Sequence, residues 1–409
     1  MNNLIIKKAG NFVLAAALAF NLLFSVNVSR AMAAVSNAKA QEIKKELQPL
    51  MNVVNMYYYE KADTEKMLRE VLEEANETTD IDSISKSFIR KLNDPYSEYY
   101  TADELENFNS SMKGQYYGIG VEIAKDKKTG GIIINKVFPN SPAEKAKLKK
   151  GDIILRAADK DLTNLDLTEA SAYVKGEKGT KITLTILRGK SEKKIKVERN
   201  EVRISSVFYK TYEKDKIGYI RVTSFLEKTA SEFVNALDKL ETKGISGLVI
   251  DLRDNGGGLV DSAHKMLDRI LPDGKEIYSF GYKNGGKDRY KTLENPDKTF
   301  DYPILILMNK GSASASELFA GALKDHFSAE VVGEVSYGKG VAQSLLELRD
   351  KENRIKCGIK LTTIKYYLPN GESINKIGIE PDYKVADDKK TAEDEQLETA
   401  LKELREMID

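Results

Sequence analysis

Cysteine and histidine are nearly missing from this 409-residue chain, which holds one cysteine, Cys357, and two histidines, His264 and His326. A single cysteine excludes an internal disulfide and a multi-cysteine metal site, and two histidines argue against a histidine-rich one. An excess of one charge sign is also lacking. With 64 Lys and Arg against 63 Asp and Glu, the net charge is +1, so the chain as a whole gives no reason to expect nucleic acid or another polyanion. Neither GxGxxG nor a complete GxxxxGK[S/T] phosphate loop occurs, and no cofactor is expected. Long apolar runs are confined to the N-terminus. There Lys7-Lys8 precede Ala9 to Val28, followed by Ala31-Met32-Ala33, a small-x-small pattern. Residues 1–33 therefore read as a signal peptide, or alternatively as a retained anchor, and either predicts export. No cysteine lies near the cleavage pattern, which excludes a lipoprotein anchor.

What is present suits two or three soluble domains: 41% apolar residues for sizeable cores and 31% charged residues of finely mixed sign. The most informative stretch runs from Tyr302 to Gln343. Ile304 to Met308 is a short apolar run that predicts a buried strand. Gly311-Ser312-Ala313-Ser314-Ala315-Ser316 makes a small-residue turn, and Leu318, Phe319, Ala322 and Leu323 then repeat at helical spacing. Such a turn sets hydroxyls beside a helix N-terminus, where unpaired N–H groups and the helix dipole favour developing negative charge. A serine there can simply cap the helix, or it can be a nucleophile beside an oxyanion site. Downstream, Lys339 stands between Gly338 and Gly340. Burial would lower the pKa of such a lysine and let it serve as the base for a serine hydroxyl.

SASASE followed by GKGxxQ, with Lys339 placed 25 positions after Ser314, resembles the carboxyl-terminal processing (tail-specific) peptidases. These are serine proteases of the S41 type that use a Ser-Lys dyad. The resemblance implies Ser314 as nucleophile, Lys339 as base and Gln343 as the residue that orients it, with Asp325 near the site. It further implies that the Asp251-Leu252-Arg253-Asp254-Asn255-Gly256-Gly257-Gly258 turn supplies one oxyanion N–H, from Gly257 or Gly258, with Ala315 N–H as its partner. The fold it implies is α/β: a ClpP/crotonase-like core with an inserted PDZ-like β-rich domain and a helical N-terminal region.

Taken in order, residues 38–113 predict helices leading into the core, with Ile43, Leu47, Leu50, Val53 and Val54 on one face and Asp80 as a later cap. Leu92 to Ser97 resembles the family's entry segment and reads structurally as a proline-containing turn, with no catalytic role assigned. Residues 114–203 predict a small β-rich domain with strands near Gly131–Val137, Lys150–Leu155 and Lys181–Arg188, and a short helix opened by Pro142. This order resembles a PDZ domain, in which Tyr117, Gly118, Ile119 and Gly120 would bind a peptide's C-terminal carboxylate. Lys175 stands where relatives can carry an arginine linked to activation. Residues 204–385 predict the catalytic α/β core, and residues 391–409 an amphipathic helix with Leu397, Leu401 and Leu404 in one stripe. That helix is expected to pack on the body or on a second subunit.

The activity implied is that of an exported serine endopeptidase hydrolysing polypeptides recognised by apolar C-termini, with a homodimer and a regulatory partner as further expectations. Two rivals stand beside it. A Ser-His enzyme would use His326, but the intervening helix carries that residue away from Ser314. A PDZ adaptor on an inactive protease scaffold would bind tails without cutting them.

Overall fold

The computed structural model describes residues 35–203, 205–293, 300–386 and 393–408. The N-terminal segment expected to direct export lies outside them. The chain divides into two compact units. One takes in the chain up to Phe108, Val207–Phe225 and Phe233 onward; the other comprises Asn109–Ser206 and Leu226–Glu232.

The larger unit begins with three helices, Asn37–Tyr57, Thr64–Glu74 and Ile81–Arg90. Ser36, Asp63 and Asp80 cap them, each accepting from the backbone N–H three residues on. Their apolar stripes, among them Ile43, Leu47, Val71 and Phe88, bury against Leu346, Leu348, Ile359 and Leu361 of a long hairpin, Val341–Arg349 with Ile355–Tyr367. The hairpin belongs to an antiparallel sheet that also holds Glu98–Thr101, Glu276–Tyr282 and Lys287–Lys291.

A second sheet lies at the core of the larger unit. Its six strands run in the order Val207–Tyr212, Ile217–Val222, Gly247–Asp251, Ile304–Met308, Glu330–Gly333 and Tyr383–Lys384. Only the first pair is antiparallel. Gly247–Asp251 and Ile304–Met308 are buried at every residue, as expected for parallel strands covered on both faces. Alternate residues Val249, Leu305, Leu307 and Val332 meet Leu397, Ala400, Leu401 and Leu404 of the C-terminal helix Glu395–Ile408. That helix packs on the body of its own chain. Arg253 reinforces the junction, bridging Asp251 at 2.7 Å and Asp394 at 2.6 Å.

The smaller unit is built around an antiparallel sheet ordered Val121–Lys125, Ile132–Val137, Ile153–Ala157, Lys181–Arg188 and Ser191–Glu198. Its core gathers Ile119, Ile132, Ile134, Ile154, Leu184 and Ile186. Ser141 caps the short helix Pro142–Lys145 with proline in its first turn, as the sequence predicts. Ser191–Glu198, a lysine-rich edge strand, is not evident from its sequence; its pairing with Lys181–Arg188 supplies the hydrogen bonds that hold it extended.

Candidate active site

The Ile304–Met308 strand delivers the chain into the serine turn, and the helix Ala315–Phe327 leaves it. Three serines in this turn look alike in sequence, and their hydrogen bonds separate them. Ser312 Oγ donates to Leu252 O at 2.8 Å, and Ser316 Oγ donates to Asn255 O at 2.8 Å. Both outer hydroxyls thus fasten the turn to the Asp251–Gly258 segment. Ser314 is different. Its φ of 57° and ψ of −115° lie in a region that a side chain rarely adopts, a strained geometry typical of a nucleophile on a strand-to-helix elbow. Glu317 N–H donates to the Ser314 carbonyl at 2.9 Å, the Ser314 and Glu317 side chains stand in capping-box positions, and the Ser314 hydroxyl donates no hydrogen bond among the described residues.

Glu317 holds the two halves of the site in register. It is fully buried, and its carboxylate accepts four hydrogen bonds: Ser314 N at 2.7 Å, Ser336 Oγ at 2.5 Å, Gly338 N at 2.6 Å and Lys339 N at 2.9 Å. One carboxylate therefore links the serine elbow to the Gly338-Lys339-Gly340 loop. Tyr366 adds a second tie, its hydroxyl donating to Ser314 O at 3.1 Å and to Lys339 O at 2.5 Å. Sequence reading takes Glu317 as a first-turn helix residue and assigns Tyr366 only to a strand.

The Lys339 ammonium makes no ion pair among the described residues. Burial first, and then the neighbouring Lys360 cation, holds its pKa below the usual lysine range, while Asp94 and Glu317 pull the other way. Its Nζ sits 4.5 Å from the centre of the Tyr96 ring. Tyr96 comes from the Asp94-Pro95-Tyr96-Ser97 turn, whose Asp94 accepts from Tyr96 N at 3.0 Å and from Ser97 Oγ at 2.5 Å. This turn carries no chemical signature in the sequence, yet it supplies an aromatic face to the lysine. Burial, followed by a hydrogen bond with Tyr337, pushes the Tyr96 hydroxyl up to about 12.

Gln343 is close in sequence, but its amide donates to Thr362 Oγ1 at 3.2 Å, across the hairpin. Asp325 accepts from Asn370 N at 3.0 Å and so braces a distant turn. His326 Nε2 lies 2.6 Å from the Glu276 carbonyl oxygen at the far end of the helix, and His264 lies 3.2 Å from the Tyr278 hydroxyl. The structure brings neither histidine to Ser314.

The glycine turn lies against the elbow. A Cβ on Gly257 would sit 2.9 Å from Ser314 Cβ and 3.0 Å from Ala315 N, and φ there is +97°, so glycine is required twice over. The Gly257 N–H itself donates to Asn255 Oδ1 at 2.9 Å. Ala315 N–H and Gly258 N–H have no protein acceptor among the described residues.

In the smaller unit, Tyr117 and Gly118 pair with Glu201 and Asn200. Ile119 is buried in the core. The Ile119 carbonyl accepts from Ala143 N at 2.7 Å and the Gly120 carbonyl from Phe138 N at 3.1 Å. The N–H groups of Ile119 and Gly120 have no protein acceptor among the described residues. Gly120 has φ +80°, and a Cβ on it would lie 2.4 Å from Ser141 Cβ. Lys175 runs alongside, its Cα 3.8 Å from where a Gly118 Cβ would be.

Comparison with known proteins places these parts. Residues 216–385 match the model of peptidase family S41, and residues 108–187 match the PDZ domain. A CtpA-like serine protease of Staphylococcus haemolyticus is 34% identical over 363 residues, which cover 88% of this chain and 68% of that protein. Among solved structures, the photosystem II D1 C-terminal processing protease aligns over 90% of this chain and 98% of its own, with a TM-score of 0.52 and 24% identity. An S41 protease from Bacteroides fragilis aligns over 88% of this chain and 97% of its own, with a TM-score of 0.55 and 15% identity. These two share the mixed α/β fold. The sequence match and the family models together carry the conclusion that the chain belongs to peptidase family S41, a family of serine-type peptidases, and that it carries a PDZ domain.

Proposed function

We propose that this chain is an exported endopeptidase that cleaves polypeptides recognised by apolar C-terminal tails, using Ser314 and Lys339 as a catalytic dyad. The observation that carries this reading is the Ser314 hydroxyl, whose proton is donated to no group among the described residues, held in a strained elbow and tied through Glu317 to the loop of a partly buried lysine without an ion pair there. Neutral Lys339 takes the Ser314 proton as Oγ attacks the scissile carbonyl. The tetrahedral oxyanion meets Ala315 N–H and a second N–H from the glycine turn. Gly258 suits that role better than Gly257, whose N–H already has Asn255 as acceptor. Each such donor is worth about 3 kcal/mol in the transition state.

The Lys339 ammonium then protonates the departing amine, with the Tyr96 ring stabilising the cation in the interval. Water enters, gives its proton to Lys339 and releases the acyl group from Ser314. Gln343 contributes through the hairpin wall at Thr362. The free N–H groups of Ile119 and Gly120 receive the substrate's terminal carboxylate.

An adaptor built on an idle scaffold has no use for the strain at Ser314. The deciding measurement is cleavage of a disordered protein with an apolar C-terminus. Wild type cuts and folded Lys339→Ala is silent if the dyad reading holds; equal cutting by both would sink it.

A further inference from the structure

The net charge of +1 is the sum of two unequal parts. Residues 109–206 carry 21 Lys and Arg against 12 Asp and Glu, leaving 43 against 51 in the rest of the chain. Within the smaller unit this excess gathers at one end. The short helix ends on Lys145 and the segment after it holds Lys147, Lys149 and Lys150, while the hairpin formed by Lys181–Arg188 and Ser191–Glu198 holds Lys190 in its turn and Lys193 on its second strand. All six are exposed, and none makes an ion pair among the described residues.

Arg188 joins the two segments: it bridges the buried Asp152 at 2.6 Å and donates through Nη2 to Lys147 O at 2.9 Å. The acids here are fewer. Asp152 belongs to Arg188, while Glu122 and Glu144, the latter accepting from Asn140 N at 2.7 Å, stay exposed beside Lys149 and Lys150, and Glu192 is exposed at the hairpin, so the lysines outnumber the exposed acids two to one.

We propose that this lysine-rich end of the PDZ unit docks on anionic phospholipid bilayers. The chemistry favours a broad surface over a discrete anion. Six exposed lysines are mobile point charges, whereas a shaped anion site uses the planar fork of arginine, and the one arginine here is spent on Asp152. Residues 144–152 and 188–196 contain no aromatic side chain on which a nucleic acid base could stack. A headgroup-covered surface matches a cluster of this breadth, through attraction that falls off within a Debye length. Docking would hold an exported peptidase beside membrane-associated substrates.

The test is co-sedimentation of the full chain with vesicles of phosphatidylcholine alone or with 30% phosphatidylglycerol, at about 20 mM NaCl. The readout is the difference between them, which removes binding common to both vesicle types. A preference of at least about ten-fold for the anionic vesicles is expected. It should vanish at about 500 mM NaCl, and in a chain with Lys145, Lys147, Lys149, Lys150, Lys190 and Lys193 each replaced by Glu. The same six changed to Gln provide a second variant should charge reversal perturb folding. Cleavage of a soluble substrate should stay within about two-fold in both. Equal binding to the two vesicle types overturns the proposal. So does a preference that survives both variants, or binding to polyglutamate without binding to vesicles.

Discussion

On the proposed reading, the two units would handle an approaching carbonyl or carboxylate in contrasting ways. The peptidase unit invests in covalent machinery: a strained serine, a lysine partly stripped of solvent, and a buried glutamate accepting four hydrogen bonds to keep them aligned. The PDZ unit offers only backbone, with Ile119 and Gly120 fixed by their carbonyls so that their N–H groups stay free. Catalysis needs side chains whose chemistry is altered by burial, whereas recognition of a chain end needs donors already in place. The units also differ in charge, the PDZ unit basic and the remainder acidic. Damage to one unit should therefore read out differently from damage to the other.

The largest effect is expected at the dyad. Lys339→Ala should lower peptide hydrolysis by about 10⁴-fold or more, with tail-peptide affinity unchanged by calorimetry. A matching loss of affinity would break the division of labour. Glu317→Gln replaces one accepting oxygen with an amide that cannot accept. It should cost about 2–4 kcal/mol in urea unfolding and reduce turnover by about 100-fold.

In the PDZ unit, Gly120→Ala combines a positive φ with a Cβ 2.4 Å from that of Ser141. It should raise the KM for a tailed protein about ten-fold and leave hydrolysis of a small ester at Ser314 within a few-fold. Loss of both activities together would show that the carboxylate loop supports the catalytic unit as well.

The smallest effects concern protonation. With Lys339 as the proposed neutral base, activity should be lost as pH falls through its lowered pKa. Lys360→Gln removes the cation that helps lower that pKa, and the rising limb of kcat/KM against pH should move to higher pH. Asp94→Asn removes an opposing charge and should move it to lower pH. Identical profiles for the two variants would refute the electrostatic account. The same shift affects stability. The unfolded chain binds the Lys339 proton more tightly than the fold does, so stability rises with pH between the folded and unfolded pKa values. Lys339→Met should accordingly raise the melting temperature at neutral pH, by about 1–2 kcal/mol of stability.

Much of the site was legible because its chemistry is local. A serine turn before a helix and a lysine between glycines are contiguous patterns, and their spacing marks the family. The N-terminal helices followed from apolar periodicity and the Asp80 cap, and the buried strand Ile304–Met308 from an unbroken apolar run. Gln343 shows where local reading stops. Its direction depends on the register of the hairpin, which shifts between Ala342 and Gln343, and a shift of one residue changes the face a side chain takes.

By itself, then, the sequence marked the family, most of its helices and strands, and Ser314 and Lys339 as the proposed pair, since each rests on neighbours along the chain. Tertiary structure alone decided which serine keeps its hydroxyl free, because the bonds that occupy Ser312 and Ser316 come from Leu252 and Asn255 on another strand's turn. It alone brought Tyr96 to the lysine and made Glu317 the link between two loops. It also joined two separate lysine runs through Arg188. Burial and long-range hydrogen bonds are properties of space, and residues far apart in sequence share them only after folding.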